Sequence, residues 1–143
     1  MAVLKLQAMR RHTPSTIRPP SARYSHAVEI PPGARLLVAS GQLGIGLDDH
    51  VPEGAEAQAD LCFQALRDIL ASAGMTFANL VRINAFVSDR AHLPAYMAAR
   101  DRFVAEPPPA STLMIVSGFA RPEFKVEVEV IAAKSIGESD EAA

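Results

Sequence analysis

Two stretches of the chain repeat apolar residues every three or four positions, and several shorter ones alternate with a period of two. Within residues 53–73, Ala55, Ala59, Cys62, Leu66, Ile69 and Ala73 fall on one stripe and Glu53, Glu56, Asp60 and Arg67 on another. This spacing predicts an amphipathic helix, opened by acidic residues and closed by Gly74. A second helix is predicted over residues 91–104, with Pro94 admissible in its first turn and Pro107 beyond its end. Residues 80–87 alternate so that Val81, Ile83, Ala85 and Val87 share one face, and Arg82 and Asn84 share the other with Leu80 and Phe86. Residues 124–133 set Phe124, Val126, Val128 and Val130 against Lys125, Glu127, Glu129 and Ile131 in the same way. Shorter strands are predicted at 27–30 and 36–39, joined by the turn PPGA, and another at 112–116 after the stiff corner EPPPAS.

The order strand, strand, helix, strand, helix, strand, strand indicates an α+β sandwich with both helices on one side of the sheet. The sheet's opposite face mixes Arg82, Asn84, Lys125 and two glutamates with large apolar side chains, an odd surface to leave in water. Packing between subunits explains it best, so the pattern predicts a homo-oligomer.

Composition narrows the classes. The 143 residues, 49% hydrophobic and 21% charged, suit one domain with a real core. Residues 1–22, with Lys5, Arg10, Arg11 and Arg18 among prolines and hydroxyls, read as an extended arm; 23–136 form the domain, and 137–143 an acidic tail. A net charge of −2 gives no electrostatic case for nucleic acid or an anionic membrane. No signal-like stretch opens the chain and no run approaches the roughly 18 apolar residues of a membrane span, so a cytoplasmic protein is expected.

Several chemistries fail on spacing. His12, His26, His50 and His92 lack the short intervals of a zinc site, and the lone Cys62, on the apolar stripe, reads as core rather than nucleophile; a metal is not expected. Gly41, Gly44 and Gly46 run G-x-x-G-x-G into an acidic DDH, where a dinucleotide fingerprint needs a helix start. Ser40 lacks the elbow of a hydrolase and reads as a strand-end hydroxyl. Glu127 and Glu129 point the same way, roughly 6.6 Å apart along a strand, a spacing compatible with paired-carboxylate chemistry. With no Trp and few aromatics to bind sugar, a single glutamate orienting water is the better functional reading, beside that of a half-exposed strand.

The segments RYSHAVEI, LLVASGQLG, LRDILASAGMTFANLVRINAFVSD and PPAST…KVEVEVIA, in that order over residues 24–132, resemble the Rid proteins, also called the YjgF family. The resemblance implies a chorismate-mutase-like α+β fold, a homotrimer whose sheets face a central barrel, and ligand clefts between neighbouring subunits. It also implies metal- and cofactor-independent hydrolysis of reactive enamines and imines to a keto acid and ammonia. In that family an arginine of a Pro-Ala-Arg-Ser motif clamps the substrate carboxylate and a glutamate of the last strand holds the water. Carried onto this chain, the glutamate matches Glu127, a pocket tyrosine matches Tyr24, and the Ser-Gly turn matches Ser40 and Gly41.

The arginine position, aligned through the serine that follows it, falls on Ala110, with Ser111 and Thr112 next. The stiff corner thus aims a methyl group where the deaminases aim a guanidinium, and loss of such a charge-assisted clamp typically costs several kcal/mol. Met97 and the Ala22–Arg23 pair depart from the family in the same sense. Arg23, first, and then Arg82 or Arg121 are candidate substitute cations. An imine or enamine hydrolase of altered substrate is the leading expectation. A non-catalytic trimeric ligand-binding or protective protein is the alternative, and RNA cleavage, ascribed to some relatives, the lesser one.

Overall fold

A computed structural model describes residues 8–136 of the chain. In chain order the strands and helices are β1 (Arg10–His12), β2 (Ala27–Glu29), β3 (Arg35–Leu43), α1 (Ala55–Ser72), β4 (Leu80–Val87), α2 (Leu93–Phe103), β5 (Ala110–Ile115) and β6 (Val126–Lys134). Four strands form the main sheet in the order β3-β6-β4-β5, antiparallel except for the parallel pair β4 and β5. The parallel pair exists because α2 and its connections carry the chain back to the start of the sheet before β5 begins. This is the α+β arrangement the sequence predicts.

Both helices end where local chemistry says they should. Gly74, at φ +70°, donates to Ala71 while Met75 donates to the Leu70 carbonyl, closing α1 in a Schellman motif that a side-chain-bearing residue adopts reluctantly. Lys134 and Arg35 donate to the carbonyls of Gly74 and Ala73, placing cations at the negative helix end. Asp89 accepts from Ala91 and caps a short 3-10 turn that leads into α2, with Pro94 in the first turn of that helix. The core lies between the helices and the inner sheet face. Phe63 of α1 stacks on Phe103 and Tyr96 of α2, at centroid distances of 5.4 and 6.0 Å, above buried Ile83, Ala85, Val126, Val128 and Val130. Cys62 is fully buried there, and its thiol is pushed up to about 12, chiefly by burial, which makes it inert as a nucleophile.

Four expectations need correction. The strand expected at 36–39 runs on to Leu43, because Ser40 and Gly41 enter the ladder as a bulge instead of ending it: Ala39 pairs with Val130 and Gln42 with Val128, so two residues oppose Glu129. Leu80 faces the core beside Val81, not outward with Arg82, because another irregularity between Leu80 and Arg82 shifts the alternation. The strand expected at 112–116 begins at Ala110, so the corner itself is strand. Finally, β2 pairs with β1 and not with β3; Arg10–His12 of the expected arm is therefore an element of the fold, tied further by His12 to Glu29 at 2.8 Å. Among the described residues no helix is long and apolar enough to cross a membrane.

The outer sheet face is left uncovered by the described residues. Leu36, Val38 and Met114 stand 60%, 72% and 49% exposed on it, beside half-buried Phe86 and Ile131. An apolar stripe of this kind interleaved with Arg82, Asn84, Glu127 and Glu129 is the mixed face read from the sequence.

Candidate functional site

Glu127 lies on β6, on the outer face, opposite Phe86 of β4 on one side and Leu43 of β3 on the other. Its carboxylate is folded over the bulge: a Cβ built on Gly41 would lie 2.0 Å from Glu127 Oε1 and 2.8 Å from its Cδ. Glycine at position 41 leaves the space that the carboxylate occupies, and the backbone there has no conformation that calls for glycine. The bulge thereby seats a glutamate of a central strand against main chain. Phe86, Val116, Gly118, Phe119 and Glu129 complete an open hollow of about 290 Å³ around it.

Burial of the Glu127 carboxyl, and secondarily the like charge of Glu129 two residues on, raises its pKa above the ordinary glutamate value. A carboxylate shifted in this direction is a better proton acceptor at neutral pH than a free one. The shift also has a consequence for stability. With the folded-state pKa raised, the contribution of Glu127 is fully present below the ordinary value and is lost as pH rises through the raised one. Glu127→Gln is therefore expected to melt above the parent at pH 8 and level with it at pH 4, as scanning calorimetry at the two pH values would show.

The second group of sequence-predicted residues lies at the other end of the sheet. Ser25 donates through its backbone to the Pro109 carbonyl at 2.9 Å and through its hydroxyl to Pro108 at 2.6 Å. That pins half-buried Tyr24 beside the start of β5, where its ring meets His26 edge-on at 5.8 Å and its hydroxyl accepts from the Ser21 amide. Ala110 is in register with Arg82, and Thr112 with Asn84, so these four share the outer face. Ser111 is in register with buried Ile83 and points to the helix side, apart from its neighbours. Ser40 is exposed in the bulge beside Gly41.

The candidate cations differ in what holds them. Arg23 pairs with Glu106 at 3.0 Å and donates to the Asp101 carbonyl, so it is turned toward the end of α2. Arg121 pairs with Glu123 and lies over the Phe124 ring, 4.9 Å from its centroid. Arg82 has neutral partners, Asn84 Oδ1 at 2.8 Å and Thr112 Oγ1 at 2.5 Å. Sequence reasoning missed Phe86 as the wall of the Glu127 hollow. It also missed Gln58, which is wholly buried in α1 and clips the base of the site together. Gln58 donates to Pro52 and Glu123 and accepts from the Lys125 amide, all within 2.9 Å. The available signal was a glutamine lying on the buried stripe between Ala55 and Cys62.

Residues 15–134 match the family model described as endoribonuclease L-PSP. The chain is 32% identical over 113 residues to protein DfrA of Myxococcus xanthus, covering 76% of this chain and 83% of that one. It is 29% identical over 129 residues to a RutC family protein of Pasteurella multocida, covering 87% and 94%. Among solved structures it is similar to a Rid-family protein of unknown function from Yersinia pestis, with TM-score 0.75, 28% identity and coverage of 88% and 98%. It is also similar to RidA from an Antarctic Psychrobacter, with TM-score 0.65, 26% identity and coverage of 79% and 89%. A family-model match over this span, together with these relatives and solved structures, places the chain in the Rid, or YjgF, family.

Proposed function

We propose that this protein hydrolyses an imine or enamine to a carbonyl compound and ammonia in clefts shared by neighbouring subunits of a homotrimer. The observation that carries the reading is the seating of Glu127 against the Gly41 bulge, which gives a carboxylate of raised proton affinity an open hollow to work in.

Separation of the two groups of residues supports a shared cleft. Arg82 and Phe86, the register partners of Ala110 and Glu127, are four positions apart on β4, and β4 itself lies between β5 and β6. Strand geometry puts Ala110 and Glu127 roughly 16 Å apart, from about 13 Å along the strands and about 10 Å across them. One small molecule cannot touch both in a single chain. Two copies meeting through their uncovered apolar faces bring the Tyr24 and Ala110 end of one to the Glu127 hollow of the next.

In such a cleft Glu127 holds a water and takes one of its protons as the oxygen attacks the carbon of the protonated imine, which an enamine reaches by protonation at carbon, giving a neutral carbinolamine. That proton passes to nitrogen, and as the carbon–nitrogen bond breaks Glu127 takes the hydroxyl proton, so that the carbonyl forms and ammonia leaves. The Gly41 amide and the Ser40, Thr112 and Tyr24 hydroxyls orient the substrate. Ala110 in place of a guanidinium favours a substrate different from that of relatives with arginine there, and it equally favours the second reading, a ligand-binding protein without turnover.

Imines generated in situ by an amino-acid oxidase, with ammonia release followed against semicarbazide trapping, separate the two. Glu127→Ala is expected to lower the catalysed rate by at least about 100-fold, the usual weight of a positioned acid–base group. A variant as fast as its parent would leave the binding reading in place.

A further inference from the structure

We infer that Arg82 is the anion-binding group of this site: its guanidinium, carried on β4 beside Ala110 and held by Asn84 and Thr112, takes the carboxylate of a small ligand. The inference rests on reading the start of β5 as one half of the ligand cleft.

Three observations carry it. Arg82 is the in-register neighbour of Ala110 across a parallel pair, so a cation stands on the outer face one strand away from the alanine. Its side chain is fixed at both ends of the guanidinium by neutral groups, Nε to Asn84 and Nη2 to Thr112. Of the five guanidinium N–H groups these bonds use two, and the remainder suffice for a fork on a carboxylate. Glu129, diagonal to it on β6 and on the same face, forms no ion pair with it, nor does any other carboxylate among the described residues.

Electrostatics adds the reason an anion is called for. Arg82 is already half-buried, and the apolar side chains around it mark the face as one that another surface covers. A guanidinium enclosed without a counter-charge is costly, so a matching anion is strongly favoured there. Arg23 and Arg121 carry their own carboxylates and have no such need. Small Ala110 leaves room on β5 for what the longer Arg82 side chain, reaching over from β4, presents. The clamp is thus kept in chemistry and moved by one strand, which changes the distance between the anion and the reacting carbon that the cleft accepts. Thr112 and Asn84 are positioning residues for it.

The test is binding without turnover. Titration of the full-length protein with pyruvate, and with its uncharged analogue pyruvamide, is followed by calorimetry. Arg82→Gln should weaken pyruvate by at least about tenfold and leave pyruvamide unchanged, with Arg82→Lys falling between because it keeps the charge and loses the fork. Thr112→Val, which frees the guanidinium without removing it, should weaken pyruvate by a smaller factor. Size-exclusion chromatography of each variant reports the assembly. Equal pyruvate affinity in parent and Arg82→Gln overturns the inference. So does a parent that binds no pyruvate while Arg82→Gln falls apart into smaller species, since the guanidinium then serves a carboxylate of the neighbouring chain. Failure of imine hydrolysis with Arg82-dependent pyruvate binding intact would remove the catalytic reading and leave this one standing.

Discussion

Gly41→Ala is expected to lower imine hydrolysis by about 100-fold while moving the melting temperature by no more than a few degrees. The added methyl would sit 2.0 Å from Glu127 Oε1, well inside contact distance, so one of the two must move. The atoms it meets are the far end of a flexible side chain on an open face, whereas the backbone at position 41 needs no unusual conformation. The carboxylate yields, and the fold does not. Displacing a catalytic group by an ångström or more is enough to cost two orders of magnitude in rate, because the attacking water loses its approach. Ammonia release and a thermal melt on the same preparation check both halves. Unchanged turnover would mean that the seat against the bulge is irrelevant to the chemistry, and would remove the observation on which the proposed function rests.

The largest loss of stability is expected at a residue that touches no ligand. Gln58→Leu should lower the unfolding free energy by about 3 kcal/mol, because it leaves the Pro52 and Glu123 carbonyls and the Lys125 amide without this partner, at a cost of about 1–3 kcal/mol for each that water cannot reach. Gln58 is fully buried, and its one side chain joins the loop at Pro52 to both Glu123 and Lys125 at the entry to β6. For a domain of this size that loss corresponds to a drop of roughly 10 °C in melting temperature. Gln64→Leu, at an exposed position of the same helix, should stay within about 0.5 kcal/mol of the parent. Urea unfolding of the two variants side by side decides the point. Similar stabilities would show that the clip is dispensable, and that the strand bearing Glu127 is set by its ladder alone.

These two residues mark the limit of what periodicity reveals. The glycine was legible as part of a Ser-Gly turn, but its purpose lies in a contact with a residue 86 positions later, and a turn signal carries no information about what approaches it. Gln58 was invisible for the opposite reason. A polar residue on an apolar stripe looks like noise until its three backbone partners, one from the loop before the helix and two from a distant segment, are in place. Arg82 belongs with them: alternation put it on the outer face with Asn84, yet only the parallel pairing of β4 with β5 set it beside Ala110 and Thr112, and only the partners of Arg23 distinguished the two as candidate cations.

What the sequence determined by itself is the set of local choices. The two helices, the inner faces of β4 and β6, the core burial of Cys62 and the uncovered mixed face all follow from the 3.6- and 2-residue periods, since each is fixed by side chains only a few positions apart. Tertiary structure decided everything that depends on register. The bulge at Ser40 and Gly41, the pairing of Arg10–His12 with β2, the inward turn of Ser111 and the parallel start of β5 at Ala110 were settled there. A strand's pattern says which residues share a face, but not which neighbour it pairs with or at what offset, and a shift of one residue reverses every side chain. The chemistry of the site lives in those offsets, where a carboxylate meets a glycine and a guanidinium stands one strand from a methyl group.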